Sequence, residues 1–97
     1  MFTIKNTIIS QPFKELQVLK LVKTDAFEIL SISLEKDAVF PEHTSPTDAQ
    51  LIVLQGDIVF HMNGESYHLK KHQHFNFPKE MVHWVAANEN SKFLIVR

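Results

Sequence analysis

Short runs in which apolar and polar residues alternate with period two, each closed by turn chemistry, recur from residue 16 to the end of this chain. That recurrence constrains the fold more than any other feature. Successive side chains of a strand point to opposite faces, so each such run sets one face against a core. Leu16, Val18 and Lys20 alternate with Gln17, Leu19 and Leu21, and after the turn Thr24-Asp25-Ala26 a second run covers 27–35, with Leu30, Ile32 and Leu34 on one face. Further strands are predicted over 50–54, 57–62, 65–69, 73–77, 82–87 and 92–97. Asn63-Gly64 is a strong hairpin signal, because a type I′ turn needs positive φ at both central residues. Asn88-Glu89-Asn90-Ser91 reads as the last hairpin turn. Pro41 and Pro46 bracket an ordered loop. The one helical candidate is a single turn at 12–16.

Many short antiparallel strands in one small chain predict an all-β sandwich or barrel. Leu51 and Val53 occupy one face of a central strand while Ile52 and Leu54 occupy the other. A strand apolar on both faces lies between two apolar layers, one of which a partner subunit can supply. A homodimer is therefore expected.

With 97 residues the chain makes one domain, and with ten basic and eleven acidic residues its formal charge is -1. That balance offers no electrostatic footprint for nucleic acid or for an anionic membrane. No cysteine is present, so disulfide and thiolate chemistry are excluded. The sequence Met1-Phe2-Thr3-Ile4-Lys5-Asn6 lacks the apolar stretch of a secretion signal. The longest aliphatic run, Leu51 to Leu54, falls far short of the roughly 20 residues of a spanning helix. A cytoplasmic protein is expected.

Two histidines stand out. His43 follows Phe40-Pro41-Glu42, and His83 ends the run Phe77-Pro78-Lys79-Glu80-Met81-Val82. Each comes shortly after a proline and is expected to open a strand, so a barrel can gather both imidazoles at one mouth. These anchors, with Gly56, resemble the two sequence motifs of the cupin superfamily. His43 matches the first histidine of the first motif and Gly56 its closing glycine. Pro78 and His83 match the proline and histidine of the second. The resemblance runs from about residue 27 to residue 97. It implies a jelly-roll barrel over 27–97, with N-terminal strands over 1–26 packing on the barrel or on the partner subunit.

The departures from the family pattern concern chemistry. The second histidine of the first motif is Ser45, and the glutamate position is Ala49, with Gln50 beside it. Asp37, His72 and Glu80 stand where the family has glycines, and Ala87 where it has asparagine. A family metal site uses three histidines and a glutamate; here His43 and His83 remain. Tight binding of a divalent ion takes at least three protein ligands. Asp48, Gln50 or His74 would have to complete the set, Asp48 being the best chemically because a carboxylate neutralises charge. Without a metal, His43 and His83 form a polar pair in an apolar cavity, able to donate, accept or shuttle a proton. Ser45 and Gln50 then add directional hydrogen bonds, and Met81 lines the mouth.

The remaining histidines fall on outward or turn positions: His61 and His68 away from the core, His72 in a turn, His74 alternating with Phe75 and Phe77. Phe40, Phe60, Phe75, Phe77 and Phe93 are expected in the core. Trp84 lies out of phase with His83 and is expected outside, at a dimer interface. Three functions fit these residues. The first is a module binding a small organic ligand without a complete metal site. The second is a divalent-metal-dependent dioxygenase, isomerase or decarboxylase built on His43 and His83. The third is a structural or interaction protein with a filled barrel.

Overall fold

The computed structural model describes residues 1–97. One helical turn, α1 (Thr7–Ser10), precedes nine strands: β1 (Leu16–Lys23), β2 (Glu28–Leu34), β3 (Val39–His43), β4 (Ala49–Gln55), β5 (Asp57–Met62), β6 (Glu65–Lys70), β7 (His74–Phe77), β8 (His83–Ala87) and β9 (Ser91–Val96). They form two antiparallel sheets, in the orders β1-β2-β9-β4-β7 and β3-β8-β5-β6. The inward rows of the two sheets close a jelly-roll barrel around Ile32, Leu34, Leu51, Val53, Ile58, Phe60, Val85 and Phe93, all essentially inaccessible to water. The predicted all-β fold is the observed one.

Two local expectations are corrected. The helical turn lies at Thr7–Ser10 and not at 12–16. Pro12 resists helical continuation, and Glu15, at φ 51°, swings the chain into β1. Val39–His43 is a strand and not simply a loop. It sits at the edge of its sheet, where Pro41 can lack a backbone N–H without breaking an interior ladder. His43 consequently closes a strand, whereas His83 opens one, as expected.

The outer face of the five-stranded sheet carries polar residues that are nevertheless buried. Residues 8–13 cross it as a strap. Gln11 Nε2 donates to the Ser31 carbonyl at 2.9 Å, and Ser31 Oγ donates to Gln11 Oε1 at 2.6 Å. Ser33 Oγ donates to the Pro12 carbonyl at 2.8 Å. Lys92 Nζ donates to the Ile8 carbonyl at 2.6 Å and lies 4.9 Å from the centre of the Phe13 ring. Every buried donor thus finds an acceptor, which removes most of the cost of covering these groups. Val18 of β1, though half exposed, lines the barrel cavity, so residues from the 1–26 region contribute to both faces of this sheet.

Backbone conformation explains the glycine positions of the motifs. Gly56 has φ 93°, and a Cβ placed there would lie 2.2 Å from Ser91 Oγ and 2.6 Å from the Asn90 carbonyl oxygen. Asp37 (φ 70°), His72 (φ 70°) and Glu80 (φ 63°) hold the same left-handed conformation without being glycine. The fold keeps the geometry and accepts the steric cost of a Cβ, of order 1 kcal/mol at each. His72→Gly and Glu80→Gly should therefore each leave stability unchanged or raise it by up to about 0.5 kcal/mol, after allowing for the greater freedom of glycine in the unfolded chain. Gly56→Ala should lower it by about 3 kcal/mol through clash and strain together. Urea midpoints at constant slope test this; a neutral Gly56→Ala would contradict the close approach to Asn90 and Ser91.

Candidate functional site

His43 and His83 meet because of one extra residue. Phe40 pairs with Val85 and His43 with His83, so three steps along β3 match two along β8. Strict alternation from inward-facing Phe40 would turn His43 outward. The bulge at Pro41 and Glu42 shifts the phase and returns His43 to the inner face, as bulges commonly re-aim a side chain beside a site. The imidazole centroids of His43 and His83 lie 4.2 Å apart, edge to face. His43 stacks on Phe40 at 4.1 Å. His83, only 2% exposed, is enclosed by Phe77 at 4.6 Å and Phe60 at 5.1 Å.

Both rings are oriented by the same local contact. His43 Nδ1 bonds the Pro41 carbonyl at 2.7 Å, and His83 Nδ1 bonds the Met81 carbonyl at 2.9 Å. A carbonyl oxygen only accepts, so each Nδ1 carries the hydrogen and donates it. In the neutral ring Nε2 is then a bare acceptor. Burial pushes the His83 imidazolium down from the ordinary 6.5, against the Met81 carbonyl, which favours the charged form. The charge of Arg97, and that of His43 in any protonated form, act in the same direction as burial.

The two rings stand at the wall of a barrel cavity of about 250 Å³. Val18, Leu30, Ile32, Leu51, Phe60, Val85, Phe93 and Ile95 supply its apolar lining, with Thr44, Ser45 and Arg97 as the other polar groups. Arg97 was not singled out from the sequence. The signal was present: residues 93, 95 and 97 share the inward phase of β9, so a charge at the end of that row faces the barrel end. Its Nε donates to Glu28 Oε1 at 2.7 Å. That hydrogen bond, chiefly, holds the Glu28 carboxyl below its usual range, with Lys20 adding to the effect.

The other residues proposed from sequence have different places. Ser45 is buried, donating Oγ to the Thr47 carbonyl at 2.7 Å, while its own carbonyl accepts from Glu80 N at 2.8 Å. Asp48 Oδ1 accepts from Lys79 N at 2.9 Å. These contacts clamp the loop after His43 to the loop before His83. Gln50 lies on the opposite face of β4 from Leu51, with its Oε1 2.5 Å from His74 Nε2. The Met81 side chain lines an outer groove with Glu42, Met62, Val82 and Trp84.

The donor set decides how a metal would fit. The Nε2 atoms of His43 and His83 are suitable ligands, but Asp48 is engaged with Lys79, and Gln50 and His74 face outward. No three His, Asp or Glu side chains converge in a way that could hold an ion. The residues present do not fit a three-ligand centre.

Trp84 is outside, as its phase predicted, but half-buried against His61, with ring centroids 3.7 Å apart. His68 pairs with Asp57, whose carboxyl is lowered first by the Asn88 side chain and then by His68. No helix is long and apolar enough to cross a membrane.

A family model for the cupin domain matches residues 30–96, and the chain belongs to the cupin family. A conserved protein of unknown function from Streptococcus pyogenes is 27% identical, with TM-score 0.76, over 84% of this chain and 72% of that one. An RmlC-like cupin from Desulfovibrio desulfuricans shares 18% identity and TM-score 0.86 over 99% of this chain and 95% of that one. A cupin superfamily protein from Desulfitobacterium hafniense shares 19% and TM-score 0.82 over 99% and 90% of the two chains. No curated protein matches the chain.

The lowered His83 value sets a pH dependence. Both folded and unfolded forms carry neutral imidazole above about 6.5. As pH falls below that, the unfolded chain takes up the proton first, so stability drops until the lower folded value is passed. An NMR titration should give His83 Cε1–H a midpoint below 6.5, and His83→Gln should flatten the acid-side loss of stability. A midpoint above 6.5 would overturn the assignment of a neutral, buried ring.

Proposed function

We propose that this cupin binds a small organic molecule in the barrel cavity without a resident metal, its polar end meeting His43 and His83. The observation that carries the reading is the pair of backbone-oriented imidazoles, each with Nε2 left as an acceptor at an apolar cavity wall. A rigid apolar pocket with a few convergent polar groups is the usual form of a small-molecule site. A cavity of about 250 Å³ has the volume of about eight water molecules, enough for a compact ligand. A chain without cysteine needs no oxidising compartment to fold and is compatible with a cytoplasmic setting.

Elemental mass spectrometry of the purified chain, before and after incubation with iron, manganese, zinc or nickel, should find substoichiometric metal. A fragment library followed by amide chemical shifts should perturb Phe60, Val85 and Phe93 together. Stoichiometric metal that disappears in His43→Ala would overturn the metal-free reading in favour of a metal-dependent enzyme. Fragments that leave those resonances unmoved would favour a filled, structural barrel.

The same proposal includes a homodimer. Ile29, Ile52, Leu94 and Val96 form a contiguous, half-buried apolar patch on the outer face of the five-stranded sheet. Met1, Phe2 and Ile4 extend nearly fully exposed. A second copy is the partner that would cover both. Sedimentation equilibrium should give a dimer for the natural chain and a monomer for Leu94→Glu. A monomeric natural chain at tens of micromolar, a concentration at which stable homodimers persist, would refute the dimer.

A further inference from the structure

We infer that the ligand of the barrel cavity is a small hydroxylated carboxylic acid, its carboxylate held by Arg97 and its hydroxyl donating to His43 or His83. The inference rests on the reading above that the cavity takes an organic molecule, and it names the chemistry of that molecule.

Charge gives the first half. Arg97 is the one charged residue lining the cavity, and no carboxylate lines it. The only hydrogen bond its side chain makes to the protein uses Nε, so both terminal nitrogens keep their donors. Glu28 does not cancel this charge one for one, since Lys20 at 3.4 Å and Lys23 at 3.9 Å also face that carboxylate. A guanidinium edge presents parallel donors that match the two oxygens of a carboxylate, and a partly desolvated pair of this kind is stronger than a neutral hydrogen bond. A single planar fork with no second lysine or arginine on the wall is a poorer match for a dianionic phosphate.

The histidines give the second half. With Nδ1 donating to backbone carbonyls, a neutral Nε2 offers a lone pair and no hydrogen. It repels a carboxylate oxygen and accepts from a hydroxyl. Burial of His83 between Phe60 and Phe77 disfavours the imidazolium that would reverse this preference there. Arg97 and the imidazoles therefore select opposite chemistry: an anionic acceptor at one, a donor at the other. Leu51, Val85, Phe93 and Ile95 line the same space and require a hydrocarbon body.

Three probes of one skeleton test this with the full chain: 2-hydroxy-4-methylpentanoate, 4-methylpentanoate and 2-hydroxy-4-methylpentanamide, titrated by amide and imidazole chemical shifts. The hydroxy acid should bind most tightly, and the amide about tenfold more weakly, the loss expected for one charge-assisted contact. Arg97→Gln should bring the hydroxy acid to the level of the amide while changing the amide's own Kd by less than about twofold. Should Arg97→Gln fail to fold, Arg97→Lys retains the charge near Glu28 but loses the fork, and should still weaken the acids selectively. Equal binding of acid and amide, with cavity resonances shifting, overturns the carboxylate inference and leaves the small-molecule reading standing. Displacement of the hydroxy acid by an equal concentration of inorganic phosphate also overturns it. No cavity shift with any probe, together with a silent fragment library, overturns both.

Discussion

The cavity depends on the register shift between β3 and β8. An edge strand of five residues carries one more residue than its partner between the Phe40–Val85 and His43–His83 pairs. Because side-chain direction alternates strictly, that residue decides whether His43 faces the barrel or the solvent. Pro41 suits the position, having no N–H to leave unpaired, and its carbonyl then accepts the His43 Nδ1–H. The same short stretch therefore aims the ring and selects its tautomer. His83 repeats the arrangement with the Met81 carbonyl, without a bulge, because it begins its strand in the inward phase.

Residues that family spacing marks as candidates for chemistry serve instead as supports. Ser45 stands where the family motif has a histidine and ties the loop after β3 to Glu80 through its carbonyl. Asp48 holds the backbone of Lys79. Together they brace the two histidine-bearing segments against each other, so the imidazoles are held at a fixed spacing by groups outside the cavity. At the barrel end the Glu28–Arg97 pair plays a comparable part, fixing Nε and leaving the rest of the guanidinium available. Positioning of this kind restricts what the cavity can bind, because side chains already held in place lose little entropy on binding.

Much of the architecture was legible from alternation and turn chemistry. The inward rows 30, 32, 34 and 51, 53 are the buried rows, and Trp84 lies on the outer face as its phase required. The strand through Pro41 was not legible, because proline and a bulge both break the period that marks a strand. The buried state of Ser31, Ser33 and Lys92 was not legible either, since it depends on a strap from residues 8–13, distant in sequence. Arg97 was missed for a different reason. Its inward phase could be counted from Phe93 and Ile95, but a charge at a strand end usually faces water, and only its pairing with Glu28 keeps it at the cavity wall.

The sequence by itself determined an all-β chain, the order and faces of most strands, the two histidine anchors and the loss of the usual third and fourth metal ligands. These properties follow from period, turn residues and spacing, which are local and survive without knowledge of contacts. Tertiary structure alone decided that both imidazoles face one cavity, which nitrogen of each is free, and that Arg97 shares the wall while Asp48, Gln50 and His74 do not. Each of those outcomes depends on strand register or on a partner remote in sequence. A one-residue difference in either would turn the same side chain to the opposite face.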